Sequence, residues 1–252
     1  MLKPMIKRPL VGFSQRIQLE WLEQTAQLLL EGNSREQIHS ALDDLLKDKL
    51  SIGNAGKFGN RRNTIYILLK VWVSVPQQLE SLRDEGLEHL RRLPLDSHLP
   101  IHWGMTAASY PFFGTVAEIV GRLLRLQGSV SAAQVQRRLH ERLGERETVS
   151  RAGRRVLRAF VDWEVLRDMV EKGIYGMGPS RLIEDQQLRT WLVEAVLLAN
   201  NASAGNLRNV SQSPMLFPFT MNTPNVIELS STKRLEYLRQ GLDEDLVALR
   251  SR

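Results

Sequence analysis

The stretch Thr148–Trp163, TVSRAGRRVLRAFVDW, carries four arginines and no lysine. The arginines are spaced i, i+3, i+4 and i+7, so in an α-helix their guanidinium groups share one face. The opposite face collects apolar side chains at helical periodicity, namely Val149, Ala152, Val156, Phe160 and Trp163. Like charges at these spacings cost about 0.2–0.5 kcal/mol per pair, and nothing in folding requires them. The pattern predicts a half-buried helix whose exposed face suits a polyanion.

The segments beside this helix predict a helix-turn-helix followed by a hairpin. Ser131 is placed to cap a preceding helix that ends at Gly144, and the arginine helix then starts with Glu147 or Thr148 as its N-cap. After it, EVLRDMVEKGIYGMG (Glu164–Gly178) has an apolar run, a Lys-Gly turn and IYGM, which together predict a short β-hairpin. Helix, turn, basic helix and hairpin are the order of a winged helix-turn-helix.

The N-terminal part of the chain predicts a set of amphipathic helices. Ser34 with Gln37 three residues later predicts a capping box, and the β-branched segment Thr64–Val75 is interpreted as a helix because helices flank it. PLDSHLPIHWG (Pro94–Gly104) is interpreted as a connector because it holds two prolines. A further apolar helix is expected around Phe112–Leu126.

The C-terminal part predicts a helix in Ile183–Asn201, followed by a long Asn-, Ser- and Pro-rich segment. Within and after that segment, MLFPF (Met215–Phe219) and VIELS (Val226–Ser230) are expected to be strands, and Thr232–Arg250 one helix or two. The predicted fold is mainly α, with a helical N-terminal domain plus a winged helix-turn-helix-like domain carrying a short β-hairpin. The predicted domains are 1–100, 101–185 and a C-terminal extension, 186–252.

Composition narrows the classes of function. The chain of 252 residues has a net charge of +6 and contains no cysteine, which excludes disulfides, thiolate nucleophiles and cysteine zinc sites. Neither a signal peptide nor a membrane-spanning run is recognisable, so we expect a cytoplasmic protein without a membrane partner. Between Arg137 and Arg158, eight arginines stand against three glutamates, which favours a polyanionic partner.

The predicted DNA-binding residues fall into three groups. Arginine contacts phosphates and the guanine edge in a bidentate way, and hydroxyls at a helix start can donate to phosphates. The groups are the helix residues Arg151, Arg154, Arg155, Arg158, Ser150 and Thr148, the preceding-helix residues Arg137 and Arg138, and the loop residues Lys57, Arg61 and Arg62. An ordinary polar loop remains an equal alternative for the last group. For the arginine face, an acidic protein partner or a plain solvated surface remain alternatives.

No residue pattern predicts catalysis, a cofactor, a metal or a small-molecule substrate. The acidic pairs lie in solvated contexts, and no GxSxG or P-loop motif occurs. His98 and His102 are four residues apart but flank Pro100, so we expect them not to share a helical turn and not to bind a metal. The tryptophans are expected in the core; Trp103 is the one that could otherwise stack on a base.

Two segments resemble one protein family. AQLLLEGNSREQIHSALDDLLKDKLSIGNAGKFGNRRNTIYILLKVW (Ala26–Trp72) looks like the N-terminal helical part of the BrxA proteins of BREX phage-exclusion systems. TVSRAGRRVLRAFVDWEVL (Thr148–Leu166) is similar to the later helix of that family, which precedes a short hairpin. The resemblance covers about half the chain. It implies a helical, non-enzymatic DNA-binding component of a bacterial defence locus, with a first domain similar to the NusB antitermination fold.

The sequence thus predicts a non-enzymatic protein that binds double-stranded DNA through the arginine-rich helix, together with other proteins of an antiviral defence system. Three other functions remain open. The chain is alternatively an interaction scaffold for an acidic protein partner, or an RNA-binding NusB-like protein. The third alternative is a nuclease or other enzyme.

Overall fold

The computed structural model describes residues 11–50, 59–240 and 244–250. These residues are mainly helical with small β-sheets, which confirms the predicted fold class at that level. The N-terminal half is built from helices that pack around one apolar core. Their bounds are α1 (Leu19–Leu30), α2 (Arg35–Leu46), α3 (Asn60–Trp72), α4 (Glu80–Arg92), α5 (Leu99–Ser109) and α6 (Pro111–Gln127).

Helix α5 corrects the interpretation of Pro94–Gly104 as a connector. Pro100 lies in the first turn of α5, where its missing N–H costs no hydrogen bond. All residues of α5 are buried, and the helix packs against α1, α3, α4 and α6. A helix buried on every side shows no amphipathic period, so the sequence pattern hid it. The predicted domain boundary at 100/101 falls inside this helix.

The middle of the chain runs from α6 into a small sheet and a pair of helices. The elements are β1 (Ser129–Ser131), α7 (Ala132–Leu143), α8 (Glu147–Asp162), β2 (Leu166–Asp168) and β3 (Ile174–Met177). The strands form one antiparallel sheet in the order β1-β3-β2, with Val130 opposite Tyr175 and Asp168 opposite Tyr175 on the other side. The predicted hairpin is confirmed as β2–β3.

The predicted helix starts are confirmed at α2 and α7 and shifted at α8. Ser131 Oγ accepts from the Gln134 backbone N–H at 3.0 Å, and the Gln134 side chain accepts from the Ser131 backbone N–H in return. Ser34 and Gln37 form the same capping box. Helix α8 instead has Arg146 at its N-cap, one residue before the predicted start, and the Arg146 side chain does not cap the first turn of the helix.

Aromatic side chains pack α8 against the helical core. Phe160 stacks on Trp103 of α5 with ring centroids 4.8 Å apart, and Trp103 is fully buried, which confirms it as a core residue. At the end of α8, Trp163 Nε1 donates to the Ile17 carbonyl at 2.9 Å. Asp162 accepts hydrogen bonds from Arg16 and Gln18. The arginine helix is thus held by both α5 and the segment before α1.

The C-terminal part wraps a buried helix with short strands. Its elements are β4 (Arg181–Leu182), α9 (Gln186–Ala199), β5 (Ala204–Asn206), α10 (Leu207–Ser211), β6 (Phe219–Thr220), α11 (Val226–Ser231), β7 (Leu235–Gln240) and β8 (Glu244–Leu249). Strands β4 and β6 pair in parallel, and β5-β8-β7 form an antiparallel sheet. Helix α9 confirms the helix predicted in Ile183–Asn201.

Three predictions for the C-terminal part require correction. Val226–Ser231 is a helix rather than a strand, because the Asn225 side chain caps it by accepting from the Glu228 N–H at 3.0 Å. The described residues 232–240 and 244–250 hold β7 and β8 rather than helices, because Leu235 and Val247 are buried against α9 in a second apolar cluster. In the predicted strand Met215–Phe219, only Phe219 is in a strand, after a 3-10 turn (Pro214–Leu216).

Candidate nucleic-acid interface

Helix α8 presents its arginines to solvent as predicted. The side chains of Arg151, Arg154 and Arg158 are 65%, 60% and 40% exposed, and Arg155 is partly exposed. The opposite side of the helix is buried, with Val149, Ala152, Gly153, Val156, Leu157, Ala159 and Phe160 inside. The spacing of the apolar residues explains this orientation directly, because their stripe must face the core.

Carboxylates of the protein itself accompany three of these arginines. Glu147 Oε1 lies 2.8 Å from Arg151 Nε and 3.4 Å from Arg154 Nη2. Arg158 Nη1 lies 3.0 Å from both oxygens of Asp168 on β2. Exposed pairs of this kind contribute about 0–1 kcal/mol, so a phosphate can replace the carboxylate at little cost. The guanidinium groups of Arg151, Arg154 and Arg158 thus have carboxylate partners within the protein but remain exposed to solvent.

Ion pairs and partial burial shift the pKa values of side chains on this face. The hydrogen bond from Arg151 lowers the pKa of Glu147, and the hydrogen bond to Asp168 raises the pKa of Arg158. Partial burial, with the neighbouring Arg151, lowers the pKa of Arg155, because both disfavour the charged form. Within the described residues, Arg155 has no ion-pair partner. It is the arginine of the face that is best placed to gain from an external anion.

Helix α7 adds two further exposed cations. The side chains of Arg137 and Arg138 are 66% and 52% exposed and share Glu141 as a neighbour, at 3.9 and 2.9 Å. Thr148 is exposed at the start of α8. Ser150 is turned toward α7 instead, with its Oγ 2.7 Å from His140 Nε2, so its hydroxyl already has a partner inside the protein.

Two residues of the predicted loop group, Arg61 and Arg62, lie elsewhere in the fold. Arg61 is on α3 and is largely buried, with its Nε 2.9 Å from Asp43 Oδ1. Arg62 is exposed on the same helix, and Lys57 lies outside the described residues. Because α3 packs against α1, α2 and α5 while α8 packs against α6, α7 and β2, Arg61 and Arg62 do not extend the arginine face.

One cluster of polar side chains was not foreseen. His98 at the N-cap of α5 and His102 near its start face Glu23 of α1, with His98 Nδ1 and His102 Nε2 at 2.9 and 2.8 Å from Glu23 Oε2. Burial raises the pKa of Glu23, but hydrogen bonds from His102, Gln27 and His98 outweigh it and lower the pKa to about 2. The expectation that Pro100 separates the histidines is wrong, since proline is tolerated in the first helical turn.

Comparison of the chain with known proteins does not assign a function to this surface. No protein family, curated protein or solved structure was found to match it. In the part of the chain that the structure describes, no helix combines the length and the apolar character that a membrane span requires.

Proposed function

We propose that this protein binds double-stranded DNA with α8 as the recognition helix of a winged helix-turn-helix. The order α6, β1, α7, α8, β2, β3 and the sheet order β1-β3-β2 support this arrangement. In such a motif the second helix of the pair enters the major groove while the first crosses the backbone. Helices α7 and α8 then take these two roles.

The observation that carries the proposal is the exposed arginine face of α8. Its 16 residues span about 24 Å, long enough to follow a groove about 12 Å wide. Arginine side chains on such a helix reach phosphates on both walls and the guanine edge on the floor. The mutual repulsion along the helix, which costs stability in the free protein, becomes favourable when phosphates approach.

The remaining contacts follow from this placement. Arg137 and Arg138 on α7 approach the sugar-phosphate backbone, and Thr148 donates to a phosphate at the positive end of α8. The hairpin carries Arg167 and Lys172 against Asp168 and Glu171, so it adds no net charge. The affinity for DNA therefore depends on α7 and α8 rather than on the β2–β3 hairpin.

The biological setting is proposed from the resemblance alone. Ala26–Trp72 and Thr148–Leu166 look like segments of BrxA proteins, which favours a non-catalytic component of a bacterial defence system that works with other proteins. The genes beside this one test that setting. Neighbouring phage-defence genes would support it, and their absence would remove it without affecting the DNA-binding proposal.

The experiment that tests DNA binding compares two triple variants by fluorescence anisotropy on a labelled duplex. One variant replaces Arg154, Arg155 and Arg158 by Ala. The matched control replaces three exposed arginines on α2, α4 and α10, namely Arg35, Arg91 and Arg208, and removes the same charge. We expect the first variant to lose retention at moderate salt while the control binds like the parent chain. Circular dichroism confirms that both remain folded.

Other results would point to the alternatives. Equal losses in both variants would reduce the effect to net charge and contradict a specific face. Stronger binding to structured RNA than to the duplex would favour an RNA-binding function. Absence of binding to either nucleic acid at low ionic strength would leave an acidic protein as the partner of the arginine face.

A further inference from the structure

We propose that Glu23, His98 and His102 form a binding site for one zinc ion, independent of DNA binding. One ligand atom from each side chain lies within 4.8 Å of the other two. The cluster joins the middle of α1 to the start of α5, the buried helix around which the N-terminal helices pack. A zinc ion there would link these two helices directly.

The donor atoms suit zinc. Two imidazole nitrogens and one carboxylate oxygen are a common zinc ligand set, and they leave a fourth tetrahedral position for water. Ligand atoms around tetrahedral zinc are about 3.3 Å apart, as follows from bonds of about 2.0–2.1 Å. Glu23 Oε2 now lies 2.9 Å from His98 Nδ1 and 2.8 Å from His102 Nε2. Each of these two distances would have to lengthen by about half an ångström to admit the ion.

Hydrogen bonds around the cluster also favour a metal. The second nitrogen of His98, Nε2, lies 2.9 Å from the Leu93 carbonyl, and Glu23 Oε1 accepts from Gln27 Nε2 at 2.7 Å. Histidines that bind metals commonly donate their other N–H to a backbone carbonyl in this way. A neutral His98 has only one N–H for two facing acceptors. Zinc on Nδ1 removes that conflict and leaves Nε2–H for Leu93.

The three side chains of the cluster differ in how deeply they are buried. His102 is fully buried with its ring edge-on to Trp72 at 5.4 Å, so its orientation is set by packing. The Glu23 side chain is 16% exposed and His98 8%, which places the cluster just below the surface. The open side of the site is therefore that of Glu23, the most exposed of the three side chains.

The test begins with the full chain carrying no affinity tag, stripped with EDTA and then titrated with Zn²⁺ against a chromophoric chelator. We expect one equivalent to bind with a Kd of about 1 μM or tighter, and the melting temperature to rise. Co²⁺ in place of Zn²⁺ should give the intense visible absorption of a tetrahedral site. Anomalous diffraction at the zinc edge should place the ion between Glu23, His98 and His102.

Two conservative variants and one control localise the binding. Glu23→Gln and His98→Gln each remove one ligand atom and should weaken Zn²⁺ binding at least tenfold. His39→Gln, at an exposed histidine of α2, should leave it unchanged. Absence of stoichiometric binding, or equal binding in all three variants, would overturn the proposal. The Co²⁺ spectrum and the anomalous signal of the parent chain decide the question even if a variant does not fold.

Discussion

Glu147 lies at the start of α8 and shares its carboxylate between Arg151 and Arg154. An approaching phosphate must displace this carboxylate and is also repelled by it. Glu147→Gln removes both effects while keeping the size of the side chain. We expect DNA affinity to rise about two- to fivefold, a small gain because exposed ion pairs are weak.

Anisotropy titrations at a fixed salt concentration measure this gain. Glu36→Gln on α2, which removes the same charge from an exposed position remote in sequence from α8, is the control. Unchanged or weaker binding by Glu147→Gln would show that Arg151 and Arg154 do not contact phosphate.

His89 on α4 is a buried histidine whose titration affects stability. Burial, followed by the nearby charge of Arg92, lowers its pKa to about 4, against the raising effects of Asp185 and Glu88. Arg92 Nη2 lies 3.2 Å from His89 Nδ1, which places a cation where a proton would bind. The folded chain thus keeps this ring neutral at pH values where the unfolded chain, with a pKa near 6.5, protonates it.

The sign follows from the proton count. Between pH 6.5 and 4 the unfolded state binds the extra proton, so acidification favours unfolding. His89 should therefore account for a decrease of about 2 kcal/mol in the free energy of unfolding between pH 7 and pH 5. Urea titrations of the parent chain and of His89→Gln measure it as the difference between their two pH dependences. Identical dependences would mean that His89 takes up its proton equally well in the folded and in the unfolded state.

At the scale of elements, local sequence patterns are sufficient to predict a helix and its buried face where the helix is amphipathic. Helix α8 could be oriented from sequence because its apolar stripe and its arginines are on opposite sides. Its partner Asp168 could not be foreseen, because β2 brings it to Arg158 only after the hairpin folds. Helix α5 was missed because every face is buried, and with it the cluster around His98.

For the C-terminal strands β7 and β8, local patterns predict the wrong type of element. Residues 232–250 contain many good helix formers, yet β7 and β8 are strands. Pairing of β8 with both β5 and β7, and burial of Leu235 and Val247 against α9, outweigh a propensity difference of a few tenths of a kcal/mol per residue. Such non-local pairing leaves no local signal in the sequence.

The crossing of α7 and α8 depends on Gly153. A Cβ at this position would lie 2.7 Å from Leu139 Cδ1 and 3.1 Å from Gln136 Nε2, so any side chain here must displace the ends of these two side chains of α7. We expect Gly153→Val to lower the free energy of unfolding by about 1–3 kcal/mol through overpacking. Arg151→Val, on the exposed side of the same helix, controls for the helix propensity of valine.

Chemical denaturation of both variants measures this effect. A decrease in stability in Gly153→Val no larger than in Arg151→Val would show that α7 and α8 separate easily. In that case the close crossing would not be what fixes the angle at which α8 is presented.

At the scale of the whole molecule, one apolar cluster runs from Phe13 to Phe219 and includes residues on both sides of the predicted boundary at 100/101. Helix α8 is part of this cluster through Val156 and Phe160, so its orientation is fixed relative to the helical bundle. If α8 binds DNA as proposed, an arginine face attached in this way has little conformational entropy left to lose on binding.

The distribution of charge gives the final prediction. Residues 137–158, with eight arginines and three glutamates, carry +5 of the chain's net charge of +6. The cationic surface is therefore local, and the number of phosphates it neutralises sets the salt dependence of binding. For about five to eight phosphates, log K should fall against log salt with a slope of about −4.5 to −7.

Replacing Arg154, Arg155 and Arg158 by Ala should make that slope shallower by about 0.9 for each phosphate that is no longer neutralised, up to about 2.7 in all. The control triple variant at Arg35, Arg91 and Arg208 should keep the parent slope, because those arginines lie on other elements. Anisotropy titrations over a series of salt concentrations give both slopes. Because the slope reports the number of neutralised phosphates and is insensitive to a uniform change in affinity, an unaltered slope in the α8 variant would remove α8 from the interface.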